Sequence, residues 1–396
     1  MQRRQSILTV FVLVAAASAA VVATAESPAP AAQDCTLDSV SETPREMWRR
    51  LSKTAESVAP SGPRLASDAT TSRRRAVKPP AGAAPVAAKN FIDTETFAKM
   101  TRDGVRWTAL SSDEEFLRRV SLDLTGQIPT AARTKAFLAD TRSDRRDKLI
   151  DELLASDEFS ERWTLWFGDH VQNVRVSSNI NLNQLGRNAW YTWIKESFRT
   201  AKPYDAMVRE LVTGRGGAFT NGPANYWVRQ IQTNGPVQDT FDNLSADSGE
   251  KFLGLPLNCI SCHNGLGHLE QVNSSLVKRT RDEFWKNAAF FATDIHRPQR
   301  DQVNNVVEYY IEANPNPARA RYQLNTTSGN KTPRQPYTGQ PAFVDPAFFL
   351  SGETPRSGEL PRDAYARILT AHPQFARASV NYLWKEMFGL GIVEPA

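Results

Sequence analysis

From residue 91 onward the apolar residues of this chain recur three and four positions apart. That spacing restricts the fold more than any other feature, because it suits α-helices and not strands. Phe116, Leu117, Val120 and Leu124 share one helical face behind Ser112 and Glu115, which have capping-box spacing, and Gly126 and Pro129 stop the run. Leu149, Ile150, Leu153 and Leu154 follow, then an aromatic stripe of Phe159, Trp163, Trp166, Phe167, Val171 and Val174. Trp190, Ile194 and Phe198 predict another helix, and Tyr204, Met207, Val208, Leu211 and Val212 one more. A short helix is expected over 237–253. Thr280 and Glu283 repeat the capping box and open a helix with Phe284, Trp285, Ala288, Phe291 and Ala292 inward. The last helix carries Ala376, Val380, Leu383, Trp384, Met387 and Phe388 on one side. The expected fold is mainly α, a multi-helical domain with long irregular loops. Gly, Asn and aromatic residues make 213–235 an expected surface loop, and Pro, Gly, Asn and Thr make 315–361 irregular with one or two short strands. No repeat of fixed period is present.

The N-terminus is built differently. Arg3 and Arg4 precede an uncharged apolar stretch over 7–22, and Ala23, Thr24 and Ala25 supply a small-residue cleavage site, so 1–25 reads as a signal peptide. The stretch is shorter than the ~20 residues of a spanning helix, and no later segment is long and apolar enough to cross a bilayer. The mature chain is therefore expected to be exported, periplasmic or at the cell surface, without a transmembrane segment. Residues 26–88 are dominated by Ala, Pro and Ser, include Arg73, Arg74 and Arg75, and read as a disordered linker. The expected organisation beyond it is a helical domain over 89–312 and an irregular linker over 313–360, followed by the last helix. A net charge of +5 on 396 residues, with no nucleic-acid motif, implies no nucleic-acid partner.

Cys259, Ile260, Ser261, Cys262 and His263 form a Cys-x-x-Cys-His run in a chain with three cysteines. Two thiols at this spacing can each form a thioether to a haem vinyl group while the adjacent imidazole ligates iron, so the run reads as a c-type haem attachment loop, the covalent site for one haem c. Export fits that chemistry. His263 is then the axial ligand and His268 a candidate second ligand. Met207, Met387, His170, His296 and His372 are further candidates for the sixth position, and the sequence does not choose among them.

The alternative cofactor is zinc on Cys259, Cys262, His263 and His268, which lacks the second cysteine pair that structural sites usually bring. A thioredoxin-like dithiol would need a surrounding βαβ unit, which is missing. The third cysteine, Cys35, has no committed partner and reads as a free thiol or an intermolecular disulfide. Asp169 and His170 could form a polar pair lining a site, but a helix-surface or satisfied buried histidine is the favoured account of His170. No nucleophile elbow, zincin motif or phosphate loop is present. The function expected from the residues is an exported c-type haem protein, carrying electrons or acting as the redox part of an extracytoplasmic oxidation system with an unidentified redox partner. A non-catalytic binding or assembly module with a zinc-bound or disulfide-bonded cysteine pair is the alternative.

The run from Phe116 to Gly126 with Ile128, Pro129 and Thr130 resembles the planctomycete-type cytochrome-associated domain, domain of unknown function 1549. So do Phe137-Leu138-Ala139-Asp140, Lys148-Leu149-Ile150, Leu153 to Ser156 and Glu161-Arg162-Trp163. Phe252-Leu253-Gly254-Leu255 leading into the cysteine motif matches its later part. Pro373 to Arg377, Val380, Asn381, Trp384 and Phe388 to Gly391 are similar to the opening of its companion, domain 1553, and the resemblance implies that 361–396 is the start of that second domain. The resemblance implies an exported, haem-linked protein and no established reaction.

Overall fold

The structure is a computed structural model, and the residues described are 86–105, 109–175, 183–270, 273–303, 305–316, 319–329 and 331–394. The expected signal peptide, Cys35 and nearly all of the linker lie outside them. Residues 83–396 form one compact unit. Its described residues hold thirteen α-helices and five short strands, so the fold is mainly α.

Helix α1 (Phe91–Arg102) is capped by Asn90 and buries nothing. Helix α2 (Asp113–Thr125) has the full capping box of Ser112 and Glu115 and ends on left-handed Gly126, whose φ of 71° suits a residue without Cβ. With α3 (Ala131–Ala139) and α4 (Arg145–Leu154) it closes over Leu117, Phe137, Leu149 and Leu153. This small cluster stands apart from the main core.

That core gathers α5 (Asp157–His170), α6 (Asn183–Arg199), α7 (Tyr204–Thr213), α8 (Ala224–Arg229) and α9 (Val237–Leu253). One-turn α10 (Asn258–Cys262), α11 (Arg281–Ala288), α12 (Pro361–Ala371) and α13 (Pro373–Phe388) complete the helices. Strands β1 (Gly216–Gly217), β2 (Asp294–Arg300) and β3 (Val306–Ala313) pair antiparallel in the order β1-β3-β2. β4 (Tyr322–Gln323) pairs with β5 (Phe343–Val344).

Helix α9 runs through the middle. It buries Phe241, Leu244, Phe252 and Leu253, and also Asp239 and Asp242. Buried carboxylates are costly unless answered, and Arg334 answers both, at 2.5 Å from Asp239 and 2.6 Å from Asp242, with its side chain fully buried. Tyr322 donates to the second Asp242 oxygen at 2.6 Å. A Cβ at Gly249 would lie 2.5 Å from the Leu257 side chain, so its absence lets the segment after α9 fold back onto the helix.

Several expectations need correction. Segment 213–235 is no surface loop: it forms β1 and α8 and buries Ala218, Tyr226, Trp227 and Val228. Asn225 holds it together by donating to the Ala218 and Gly222 carbonyls at 2.8 and 3.0 Å. The β2–β3 hairpin falls where only helix was expected. The 315–361 stretch is irregular with the two short strands β4 and β5, as its composition predicts. Residues 313–360 and 361–396 do not stand apart, since α12 places Tyr365 and Leu369 in the main core. On α13 the buried residues are Phe375 and Ala378, while Val380, Leu383 and Phe388 are exposed.

Candidate cofactor-attachment site

The motif depends on how α9 ends. A helix leaves its last carbonyls without intrahelical donors, and here three side chains from other helices supply them. Tyr382 donates to the Glu250 carbonyl at 2.6 Å, His170 Nε2 to that of Lys251 at 2.9 Å, and Gln374 to that of Leu253 at 2.8 Å. Gly254 then turns left-handed and fully buried Leu257 pins the chain before α10. The cysteine motif is thus on a short helix and the residue after it, not in a loop as expected.

Cys259 and Cys262 sit three residues apart on α10, a spacing that places both side chains on one face. Both are half-buried thiols. His263 leaves the helix in extended backbone, and its Nδ1 lies 2.8 Å from the Asn264 carbonyl oxygen. A carbonyl can only accept, so the proton is on Nδ1 and the Nε2 lone pair is left for a metal.

Arg281 fastens this arrangement. Its side chain, 6% exposed, donates to the Ser261 carbonyl at 3.0 Å, the Pro333 carbonyl at 2.9 Å and the Thr332 carbonyl. Its backbone N–H reaches Asn264 Oδ1 at 2.8 Å, and its guanidinium lies 4.7 Å over the Trp285 ring. The 331–334 strap is thereby tied beside the second cysteine, anchored further by Lys331 on Asn258 at 2.9 Å and by buried Arg334. Burial of Cys262 opposes its ionisation. Hydrogen bonds from the Thr332 backbone and the Ser261 hydroxyl, with the Lys331 ammonium nearby, outweigh burial and hold the thiol below its ordinary pKa.

The other candidates scatter. His268 is exposed and its ring centre lies 4.5 Å from that of His263 at 44°. Two imidazoles on opposite sides of one metal, each ~2 Å from it, would have ring centres roughly 6 Å apart, so this placement is not that of a trans pair. His170 caps α9, and Asp169 beside it is exposed, so the two are not a pair. His372 caps α13, Met207 lies in the core and Met387 is half-buried on α13. His296 lies on β2 against Tyr309. Among the described residues no three His, Cys, Asp or Glu side chains converge as a metal site, so the four expected zinc ligands do not come together. Arg281, Lys331 and Thr332 were missed by sequence reasoning. Only the capping box at Thr280 hinted that α11 starts beside the motif.

The sequence family described as PSCyt2, protein of unknown function (DUF1549), matches residues 91–295. The chain belongs to this family. No curated protein and no solved structure matches it. The DUF1549 match runs from the start of α1 into β2 and so takes in both cysteines and His263. The strap that lies across Cys262, and helices α12 and α13, come from beyond the matched residues. This DUF1549 chain therefore completes the surroundings of the motif with its own later segments.

Proposed function

We propose that this protein is an exported c-type haem protein that transfers electrons, or serves as the redox part of an extracytoplasmic oxidation system. The observation that carries the reading is the pairing of two thiols on one face of α10 with an imidazole whose Nδ1 is committed to Asn264. The donor set fits haem c: Cys259 and Cys262 would hold the macrocycle, and His263 Nε2 would ligate the iron. The haem, when bound, supplies one-electron redox chemistry. The chain's own residues set the conditions. Arg281 and the strap fix the Cys262 side of α10, Asn264 orients His263, and the three caps on α9 hold the approach to the motif rigid. The basic side chains Lys331 and Arg281 place positive charge beside the site, which favours the more reduced, less positive state of a bound redox centre.

The test is expression of the full chain in a host with a haem-attachment apparatus. The expected product is coloured, shows a Soret band and keeps its haem on a denaturing gel. A colourless product overturns the reading, and one equivalent of zinc in its place points to the binding or assembly module.

A further inference from the structure

One cavity is lined by neither of the two thiols nor by His263. Between α5, the C-terminal end of α9 and α13 is a cleft of about 730 Å³, within the range of small-molecule sites. Trp166, Pro256, Ala378 and Tyr382 supply its apolar surface. The Trp166 ring stacks on His170 at 5.7 Å and 6°, and Tyr382 meets that imidazole edge-on at 4.8 Å. Both polar tips behind this wall, those of His170 and Tyr382, are committed to α9 carbonyls. The wall is therefore fixed before any ligand arrives.

The charges lining the cleft are nearly all matched. Glu386 pairs with Arg162, Lys251 with Glu250 at 3.4 Å and Lys385 with Glu394 at 3.8 Å. Arg377 differs. It lines the cleft, is exposed, and has no ion-pair partner among the described residues. A guanidinium is a planar fork that matches a carboxylate in two parallel hydrogen bonds, and a fixed aromatic wall accepts the flat face of a ring.

We propose that this cleft binds a small organic acid, a carboxylate carried on a six-membered ring, with the carboxylate on Arg377 and the ring against Trp166 and Tyr382. The inference stands apart from the haem reading, since none of its residues belongs to the motif. Benzoate and glucuronate separate the two sources of this chemistry, an aromatic acid and a sugar acid, with benzyl alcohol and glucose as neutral counterparts. Calorimetric titration of the mature chain is expected to give saturable binding of at least one acid, on the order of tenfold tighter than its neutral counterpart. The acid that binds names the source. Arg377→Ala, a change at an exposed position that leaves the fold intact, should lose about tenfold, and Arg377→Lys should recover part of it. Cys259→Ser with Cys262→Ser should bind as the parent does, whatever the fate of haem. The proposal falls if neither acid saturates below ~10 mM, if a neutral counterpart binds equally well, or if Arg377→Ala binds unchanged.

Discussion

Helices α2–α4 and the core around α9 bury apolar residues by the same rule and handle charge in different ways. In the first region Asp113 meets Arg145 and Arg146 with every partner's side chain 24–29% exposed, and Leu117, Phe137, Leu149 and Leu153 do the packing. In the second, Arg334 is fully buried between Asp239 and Asp242, and Arg362 lies buried 3.1 Å from Asp294. A wet ion pair contributes little and can change freely. A buried one is costly to form and strongly destabilising to break. The lesson is positional: buried charge appears where distant segments must meet in one arrangement, and here the arrangement includes the strap beside Cys262.

Breaking both kinds of pair gives the largest contrast. Arg334→Met should destabilise the protein by about 3–5 kcal/mol in urea unfolding, because two buried carboxylates lose their cation. Adding Asp239→Asn and Asp242→Asn should recover much of that loss. Arg145→Met in the first region should leave the midpoint within error.

Acid offers the next contrast. Burial holds His170 and His296 at about 4, against 6.5 for an exposed histidine. The unfolded chain therefore binds protons first as pH falls, and stability present above pH 6.5 is lost progressively down to pH 4. Each histidine accounts for about 3 kcal/mol of that loss. Urea midpoints at pH 7 and pH 5 should reveal it, and His170→Gln, which keeps a donor for Lys251, should roughly halve the difference, with His296 supplying the rest.

The strap gives a smaller, local effect. In the haem-free chain, where Cys262 is a thiol, Arg281→Ala should raise the rate of its alkylation on the order of tenfold, as lost charged hydrogen bonds let the strap open. Arg281→Lys should not restore protection, because one ammonium cannot match three carbonyls as the guanidinium fork does. Equal alkylation rates in the parent and Arg281→Ala would remove the strap's role. Smallest of all are the two capping boxes. Ser112→Ala and Thr280→Ala should each cost about 1 kcal/mol, and only the second, at the head of α11, should also quicken Cys262 labelling.

What the sequence reveals follows the same division. The capping boxes at Ser112 and Thr280, the stop at Gly126 and the run of α9 all rest on residues within one or two turns of each other, so pattern alone exposes them. The burial of 213–235 is hidden because its Gly and Asn content mimics a loop. Gly222 is there because a Cβ would strike Trp193 and the Ala189 carbonyl, and Asn225 because its amide satisfies inward-facing carbonyls. Strand β2, Asp294–Arg300, contains Pro298, His296 and two arginines and shows little apolar alternation, so its pairing with β3 has no local signature. At the site, Cys259, Cys262 and His263 are legible because their spacing is itself the signal. The hold of Arg281 on Thr332 and Pro333 joins residues more than fifty positions apart, which no local pattern encodes.

The central claim is covalent attachment, and the peptide that contains Cys259 to His263 reports on it directly. After expression with a haem-attachment apparatus and proteolysis, tandem mass spectrometry should find this peptide heavier by one haem, with both cysteine sulfurs modified and the adduct absent in Cys259→Ala with Cys262→Ala. Unmodified thiols, or a Cys259–Cys262 disulfide, in protein from cells that load a control cytochrome would contradict it.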